Sequence, residues 1–383
     1  MTNVAIDARI PDEGLGGVQQ VLLTLMEGFG ELPSKEFTRF WIVLEGTSWW
    51  QGKIPISDSL ILVKPPFGKM AIHIQKRFPK LVSLAYPVLS KFLKVGNELD
   101  NLMQKYEVNM VHFPFQDSFK TKLPFLYQPH DLQHVHYPEN FSRAQLLHRN
   151  THWKKTATDA SIITVAAAHI AEDLVEYWSI DAKKIQVLPV PPPTRTKVIR
   201  EDADTNFEPF IVYPSAFWKH KNHESLIKGF KRARDLGTNL SLILPGSHNG
   251  QFRSVFRMVE DLALSEFVHF PGHITSEELA QLIVKSNAVI VPSLYEALSL
   301  TIWDAYNFGK PILCSNKAII YGPFESVCVK FDPENYHGIA DAILGIDKIP
   351  KRSKTSQLDW LPKPKEYAES ISGIYSRCLV SRT

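Results

Sequence analysis

The chain has 383 residues, 44% of them hydrophobic and 22% charged, which is typical of a soluble globular protein. This length exceeds one ordinary hydrophobic core and predicts two domains. The formal net charge of +3 is too small to indicate nucleic acid as a partner. The three cysteines form no disulfide framework, and there is no CxxC or HExxH motif, so we expect a reducing compartment and no metal site.

The first half of the chain alternates short apolar runs with helical patterns. The runs, typical of strands buried on both faces, are "NVAID" (3–7), "FWIVL" (40–44), "LILV" (60–63), "NMVHF" (109–113) and "SIITV" (161–165). Helical patterns cover 18–29 and 167–178. This alternation predicts βαβ units around a parallel sheet. The first residues carry no basic region ahead of an apolar one, and no window reaches about 18 apolar residues, so we expect no signal peptide, no membrane span and a cytoplasmic location.

A second series of the same kind follows residue 208, with the runs "FIVYPS", "LSLILPG", "FVHFPG", "AVIVPS" and "PILCS". Thr275 and Glu278 have the spacing of a capping box at the start of a helix. The predicted organisation is an α/β domain at 1–190, a proline-rich linker at 191–208, a second α/β domain at 209–350, and a segment at 351–383 whose helix crosses back to the first domain. Two such sheets should face each other across a cleft, with ligands bound beyond the carboxyl ends of the strands.

A basic turn opens the second domain. Lys219, His220 and Lys221 follow a strand that ends at Tyr213, and Asn222 can cap the next helix. Lysines beside the positive end of a helix suit a phosphate group. A solvated basic turn explains the same residues equally well.

Two acids mark a later strand-to-helix junction, "VPSLYEALSLTIWDAYNFGKPILCSN" (291–316). Glu296 comes directly after the strand, and Asp304 lies in a helical pattern. Acids near a helix N-terminus are favoured by its dipole alone. They also suit a ligand that is rich in hydroxyl groups.

Taken together, these stretches resemble family 4 of the retaining glycosyltransferases, which have the GT-B fold of two Rossmann-like parallel-sheet domains. The motifs that carry the resemblance are Pro292-Ser293 with Glu296, Asp304 and Gly309-Lys310-Pro311; Phe217-Trp218-x-His220-Lys221-Asn222-His223; "GLGG" (14–17); and "PHDLQHVHYPENF" (129–141). They occur in the family's order along nearly the whole chain.

The resemblance implies a role for each matching residue, and the residue types agree with it. Lys221 and the helix N-terminal amides near Ser299 and Leu300 would bind the diphosphate of a nucleotide sugar. Glu296 would accept hydrogen bonds from sugar hydroxyls, and Asp304, about 12 Å away along a helix, from the ribose. The remaining predicted contacts are a close backbone approach at the loop of Gly16 and Gly17, base contacts near His273 and Ile274, and a catalytic role for His130.

The implied activity is transfer of a hexose, with UDP-glucose as the expected donor and GDP-mannose as the alternative, without a metal or another cofactor. The implied acceptor is a glycan or a lipid-linked carrier in surface polysaccharide synthesis. Ala216 stands where most members have arginine, and Asp304 where they have glutamate. These departures leave open a weakly active nucleotide-sugar-binding partner subunit.

Two further features have competing interpretations. "GLGGVQ" (14–19) falls short of a full GxGxxG, which argues against nicotinamide binding, and His130 beside Asp131 also fits a structural role. The segment 64–94 has seven basic residues and no acid among its apolar ones. It suits either peripheral contact with anionic lipid on the inner face of the plasma membrane or a pair of amphipathic helices that cover the sheet.

Overall fold

The computed structural model describes residues 2–10, 16–32, 37–64, 95–191, 209–248, 250–297, 299–318, 327–349 and 362–380. The chain divides into two compact units: Met1–Pro193 with Trp360–Thr383, and Thr194–Asp359. Most of the predicted linker 191–208 and nearly all of the segment 64–94 lie outside the described residues.

Unit 1 contains a seven-stranded parallel sheet with the order β3-β2-β1-β4-β5-β6-β7. Its strands are β1 (Thr2–Asp7), β2 (Phe37–Leu44), β3 (Ser59–Val63), β4 (Met110–Phe113), β5 (Phe125–Tyr127), β6 (Ile162–Val165) and β7 (Ile185–Val187). The middle strands are buried on both faces, as the continuous apolar runs predict: all four residues of β4 are buried. The sheet order reverses between β1 and β4, which makes that junction the topological switch point.

Helices connect these strands. They are α1 (Gly16–Gly30), α2 (Val95–Lys105), α3 (Gln133–His136), α4 (Arg143–His148), α5 (Lys154–Asp159) and α6 (Ala168–Trp178). A π-helical turn (Arg149–Trp153) joins α4 to α5, and short 3₁₀ turns occupy Pro138–Asn140 and Ala182–Lys184.

Unit 2 contains a six-stranded parallel sheet with the order β10-β9-β8-β11-β12-β13. Its strands are β8 (Phe210–Val212), β9 (Ser241–Pro245), β10 (Val268–Gly272), β11 (Ala288–Val291), β12 (Ile312–Ser315) and β13 (Cys328–Phe331). Its helices are α7 (His223–Asp235), α8 (Phe252–Asp261), α9 (Ser276–Lys285), α10 (Leu300–Asn307) and α11 (Tyr336–Leu344), with 3₁₀ turns at Lys219–Lys221 and Ile346–Lys348. The order reverses between β8 and β11.

The last helix, α12 (Pro364–Val380), belongs to unit 1 and packs against α1. It contributes two buried tyrosine hydroxyls. The Tyr375 hydroxyl lies 2.9 Å from His112 Nδ1 on β4, and the Tyr367 hydroxyl accepts a 2.7 Å hydrogen bond from Gln128. These contacts join the end of the chain to the strands of the first sheet.

The predicted fold class is confirmed, since the two units are parallel sheets with connecting helices. Thr275 and Glu278 form the predicted capping box: the Thr275 side chain accepts a hydrogen bond from the Glu278 backbone N–H, and the Glu278 carboxylate accepts one from the Thr275 N–H. Strands β7 and β13 were not predicted because their exposed and half-buried positions give no continuous apolar run. Of the helices that the structure describes, none combines the length and the apolar character that a membrane span requires.

Burial of His112 makes the stability of unit 1 depend on pH. His112 is fully buried, and desolvation lowers its pKa from 6.5 to about 3, although a side-chain hydrogen bond to Gln128 opposes the shift. In the unfolded chain the same imidazole takes up a proton below about pH 6.5, so its stabilising contribution is present above that pH and is lost as the pH falls toward 3. We expect His112 to lower the free energy of unfolding by about 2 kcal/mol at pH 5 relative to pH 8.

Urea unfolding of the wild type and of His112→Gln at pH 8 and pH 5 measures this contribution. The variant should show a difference between the two pH values that is smaller by about 2 kcal/mol. The exposed His337→Gln serves as the matched control and should keep the wild-type difference. Equal pH dependence in His112→Gln and the wild type would contradict the assignment.

Candidate functional site

The predicted site residues of unit 2 lie at the carboxyl edge of its sheet. Lys221 follows β8 and Glu296 follows β11, and these two strands are neighbours at the switch point. The loops that carry them are joined directly, since the Leu294 N–H donates a 2.8 Å hydrogen bond to the His220 carbonyl. The topology therefore brings a basic turn and an acidic loop together where parallel sheets bind ligands.

Lys221 and Glu296 form an ion pair at this junction. The Lys221 Nζ lies 2.8 Å from Glu296 Oε1 and 2.9 Å from Oε2. The Glu296 side chain is 7% exposed and that of Lys221 is 22% exposed. The pair thus places one cationic donor and one carboxylate acceptor side by side, held before any ligand binds.

Ser293 orients the Glu296 carboxylate, and Tyr213 orients Ser293. The Ser293 hydroxyl donates a 2.6 Å hydrogen bond to Glu296 Oε1, a short distance that is typical of a charged acceptor. Because the Ser293 proton is used, the Tyr213 hydroxyl shares its single proton between Ser293 Oγ (2.9 Å) and the Lys221 carbonyl (3.2 Å). Burial raises the pKa of Tyr213 to about 12, so its hydroxyl remains a donor at neutral pH.

Asn222 occupies the N-cap position of α7, as predicted, but its side chain does not cap the helix. Its side chain makes no capping hydrogen bond and instead donates to the carbonyls of Pro292 (3.0 Å) and Pro333 (2.7 Å). The residue is left-handed, with φ of 58°, a conformation that asparagine tolerates better than most residues. Asn222 therefore fastens the Lys221 turn to the loop after β11.

The histidines of the basic turn are held neutral. His223 is buried and stacks on Phe217 with ring centroids 4.3 Å apart. Burial, and secondarily the charge of Lys221, lower the pKa of His223 to about 3, and burial likewise lowers that of His220 to about 3. Lys221 therefore supplies the positive charge at this position, and His223 packs the turn.

The loops after β8, β9 and β10 are in close contact. A Cβ on Gly246 would lie 2.0 Å from the Ser215 carbonyl oxygen, so only glycine fits there, and the Gly246 N–H donates to the Gly272 carbonyl at 2.8 Å. His273 and Ile274 directly follow Gly272 and are exposed and half-buried respectively. The positions predicted for base contacts thus adjoin the loop that carries Ala216.

Helix α10 places the remaining predicted residues. Ser299 is buried at its N-cap position, Leu300 begins its first turn, and Asp304 is buried one turn later. Only 300–304 of the stretch from Glu296 to Asp304 is helical, with a rise of about 6 Å, so the predicted run of eight helical residues between the two acids is wrong. The structure thus separates a loop acid, Glu296, from a helix acid, Asp304.

Three predicted residues lie in unit 1. Gly16 and Gly17 are the first two residues of α1 and not a loop, and a Cβ on Gly17 would meet no atom within 4 Å. His130 is half-buried in the loop after β5, and its Nε2 donates to the Pro114 carbonyl at 2.9 Å. This bond leaves the lone pair of the neutral ring on Nδ1, and burial lowers the pKa of His130.

Sequence reasoning did not assign Ser293, Tyr213, Asn222 or Gly246 to the site. Ser293 was visible as part of the Pro-Ser strand end, and Tyr213 as the last residue before the basic turn. No local pattern predicts that both hydroxyls meet near Glu296, because the contact spans 80 residues between Tyr213 and Ser293.

Solved structures with the same architecture cover the whole chain. Anabaena Alr3699/HepE, in complex with UDP and glucose, matches with a TM-score of 0.70 at 13% identity over 98% of this chain and all of that one. WaaG, a glycosyltransferase involved in lipopolysaccharide biosynthesis, matches with a TM-score of 0.65 at 14% identity over 97% of this chain and all of that one. These likenesses, with the two parallel sheets and their connecting helices, place the chain in the GT-B class of folds.

Sequence comparison gives the family. The model of the glycosyl transferases group 1 family matches residues 196–346, in agreement with the resemblance that the motifs predicted. The O-antigen chain mannosyltransferase RfbU of Salmonella typhimurium is 22% identical over 58% of this chain, and the MMP alpha-(1->4)-mannosyltransferase of Mycolicibacterium hassiacum is 28% identical over 40%. The matched regions span 60% and 36% of the lengths of these relatives.

Proposed function

We propose that the protein is a glycosyltransferase that moves a hexose from a nucleoside-diphosphate sugar to a glycan or lipid-linked acceptor. The observation that carries the proposal is the Lys221–Glu296 ion pair at the switch point of unit 2. A nucleoside-diphosphate sugar carries a diphosphate next to a polyhydroxylated ring. A lysine beside a carboxylate, both ordered in advance, matches these two parts.

Each group has a defined task in the proposed reaction. The Lys221 ammonium faces the diphosphate and stabilises the negative charge that develops on it as the bond to the sugar breaks. Glu296 accepts hydrogen bonds from sugar hydroxyls, with Ser293 holding its carboxylate in place. Asp304 binds the ribose hydroxyls. His273 and Ile274 contact the base through their backbone. Lys221 and the helix N-terminal amides near Ser299 and Leu300 together offset part of the charge of the diphosphate, and the proposed reaction uses no metal.

The stereochemical part of the proposal is retention at the sugar carbon. Attack and departure then occur on the same face, with the donor phosphate taking the acceptor proton and no protein nucleophile. Roles for His130, through its Nδ1 lone pair, and for the backbone of Gly16 and Gly17 are predictions that the family resemblance implies. The product anomer, determined by NMR spectroscopy, tests this part separately.

For the donor, the relatives favour mannose over the glucose that was expected from the sequence. Three curated relatives are named mannosyltransferases. The Anabaena protein that has been solved with UDP-glucose shares 14% of residues, a level at which likeness supports the fold alone. GDP-mannose is therefore the first candidate donor and UDP-glucose the second.

Calorimetric titration with GDP and UDP, followed by transfer assays with GDP-mannose and UDP-glucose without added divalent metal, tests the proposal. We expect saturable binding of one diphosphate and release of sugar from the matching donor, and loss of sugar release in Glu296→Ala, which removes the acceptor for the sugar hydroxyls. Binding of neither nucleotide would refute the function. Tight binding with no release in the presence of many acceptors would favour a nucleotide-sugar-binding partner subunit, the alternative that Ala216 and Asp304 suggest.

A lipid-linked acceptor in surface polysaccharide synthesis, reached from the cytoplasmic side, is the finer proposal for the second substrate. The segment 64–94 supports it through its composition alone, with seven basic residues and no acid. Each lysine or arginine near an anionic surface contributes about 1 kcal/mol to attachment. Several of them together would hold the enzyme where such an acceptor lies.

Sedimentation with liposomes tests this attachment. We expect binding to anionic vesicles at low salt that falls steeply as ionic strength rises, because screening weakens exposed charges. The triple variant Lys76→Glu, Arg77→Glu, Lys80→Glu should bind more than tenfold more weakly, and neutral vesicles should not bind. Equal binding of the triple variant and the wild type to anionic vesicles would favour a soluble acceptor.

A further inference from the structure

Unit 1 contains a group of metal-ligating side chains that the proposed transfer does not use. Asp117, His148 and His152 each offer one ligand atom, and these three atoms lie within 4.8 Å of one another. Asp117 lies in the loop after β4, the strand at the switch point of unit 1. The two histidines come from the end of α4 and from the π-helical turn that follows it.

The spacing of the histidines suits a metal ion. His148 and His152 are four residues apart on one helical face, and their rings stack with centroids 5.0 Å apart. Histidines at this spacing recur as paired zinc ligands. A tetrahedral zinc ion with ligands at about 2.0–2.1 Å needs ligand atoms about 3.3 Å apart. Small side-chain rotations would bring the three atoms to that separation.

The aspartate is already directed toward the histidines. His148 Nε2 lies 3.1 Å from Asp117 Oδ1, and the Trp153 indole N–H donates a 2.8 Å hydrogen bond to the same oxygen. A neighbour that donates to one carboxylate oxygen leaves the other available and fixes the orientation, as partners of metal ligands commonly do. The Asp117 side chain is 63% exposed and that of His148 is 34% exposed, so an ion has access from solvent.

Ser118, next to His152, offers oxygen atoms that could serve as a fourth ligand. The His152 Nε2 lies 3.2 Å from both the hydroxyl and the carbonyl oxygen of Ser118. In its neutral form each imidazole can present its Nε2 lone pair to an ion in place of these hydrogen bonds. The intervening turn is π-helical, a feature that occurs frequently at functional sites.

We propose that Asp117, His148 and His152 bind one divalent cation of the zinc class, with water or Ser118 completing the coordination. Two imidazoles with one carboxylate form a ligand set that favours Zn²⁺ over Mg²⁺ or Ca²⁺. The sequence contains no zinc motif to indicate this, because the aspartate lies 31 residues before the first histidine. The site is independent of Lys221 and Glu296.

Calorimetric titration of the metal-free protein with ZnCl₂ at pH 7.5 tests the proposal, with Co²⁺ absorption spectra as a second measurement. We expect one equivalent to bind, and His148→Ala, His152→Ala and Asp117→Asn each to weaken binding at least tenfold. Asp117→Asn still accepts the Trp153 hydrogen bond through its amide oxygen, so this variant separates loss of a ligand from loss of the fold. Circular dichroism of each variant checks the fold.

His136→Ala provides the matched control. His136 Nε2 lies 2.8 Å from Asp173, which makes it a histidine–carboxylate pair in the same unit but outside the group of three. This variant should bind Zn²⁺ as the wild type does. Absence of saturable binding, or equal affinity in the three ligand variants and the wild type, would overturn the proposal. Mg²⁺ competing with Zn²⁺ at equal concentration would overturn the assigned metal class.

Discussion

Lys221→Ala should lower kcat of sugar transfer by about 10²- to 10³-fold, an effect typical of removing one preorganised donor from a developing negative charge. The ammonium acts as the leaving diphosphate gains charge, so kcat should fall more than KM rises. Lys219→Ala is the matched control, because Lys219 lies two residues earlier in the same basic turn and is exposed. That variant should stay within about twofold of wild type. Equal losses of kcat in the two variants would show that Lys221 acts only through the general positive charge of the surface.

Stability must be measured alongside activity, because Lys221→Ala also leaves the Glu296 carboxylate without its cation. Breaking a buried pair costs about 3–5 kcal/mol, and the partial exposure of Lys221 reduces this figure. The double variant Lys221→Ala, Glu296→Gln removes the unpaired charge and keeps an acceptor for Ser293. We expect it to be more stable than Lys221→Ala and equally inactive. Recovered activity in the double variant would show that the single variant failed through its fold.

Gly28→Ala should destabilise unit 1 by about 2–3 kcal/mol, because the added methyl group has no space. A Cβ on Gly28 would lie 2.1 Å from the carbonyl oxygen of Pro364 and 2.8 Å from the Cβ of Ala368, where α12 crosses α1. The nearest atoms belong to the backbone, so a side-chain rotation cannot relieve the contact. The helix must move away from α1, which weakens the hydrogen bonds of Tyr367 and Tyr375 with Gln128 and His112.

Gly30→Ala is the matched control in the same helix, since a Cβ there meets no atom within 4 Å. Thermal unfolding should show Tm lower by about 5–10 °C for Gly28→Ala and nearly unchanged for Gly30→Ala. Proteolysis should cut α12 sooner in Gly28→Ala alone. If the two variants had the same Tm, the close approach of α12 to α1 would be refuted.

The sequence predicted those features whose cause is local. Buried parallel strands appear as apolar runs because each residue faces a helix layer on one side or the other, and Val289 to Val291 is an example. The capping box at Thr275 and Glu278 was readable because its two reciprocal hydrogen bonds join residues three apart. The motif residues Lys221 and Glu296 were named for the same reason, since each lies in a short, recognisable turn.

The tertiary structure decided how these residues meet. Lys221 and Glu296 are 75 residues apart, and they form an ion pair only because β8 and β11 are neighbours at the switch point. In unit 1, the packing of distant segments likewise places Asp117 beside His148, and α12 against Gly28. Such contacts depend on strand order and on the packing of distant segments, which periodicity does not encode. Asn222 shows the difference most directly: its sequence predicts a helix cap, but the nearness of Pro292 and Pro333 gives its side chain other partners.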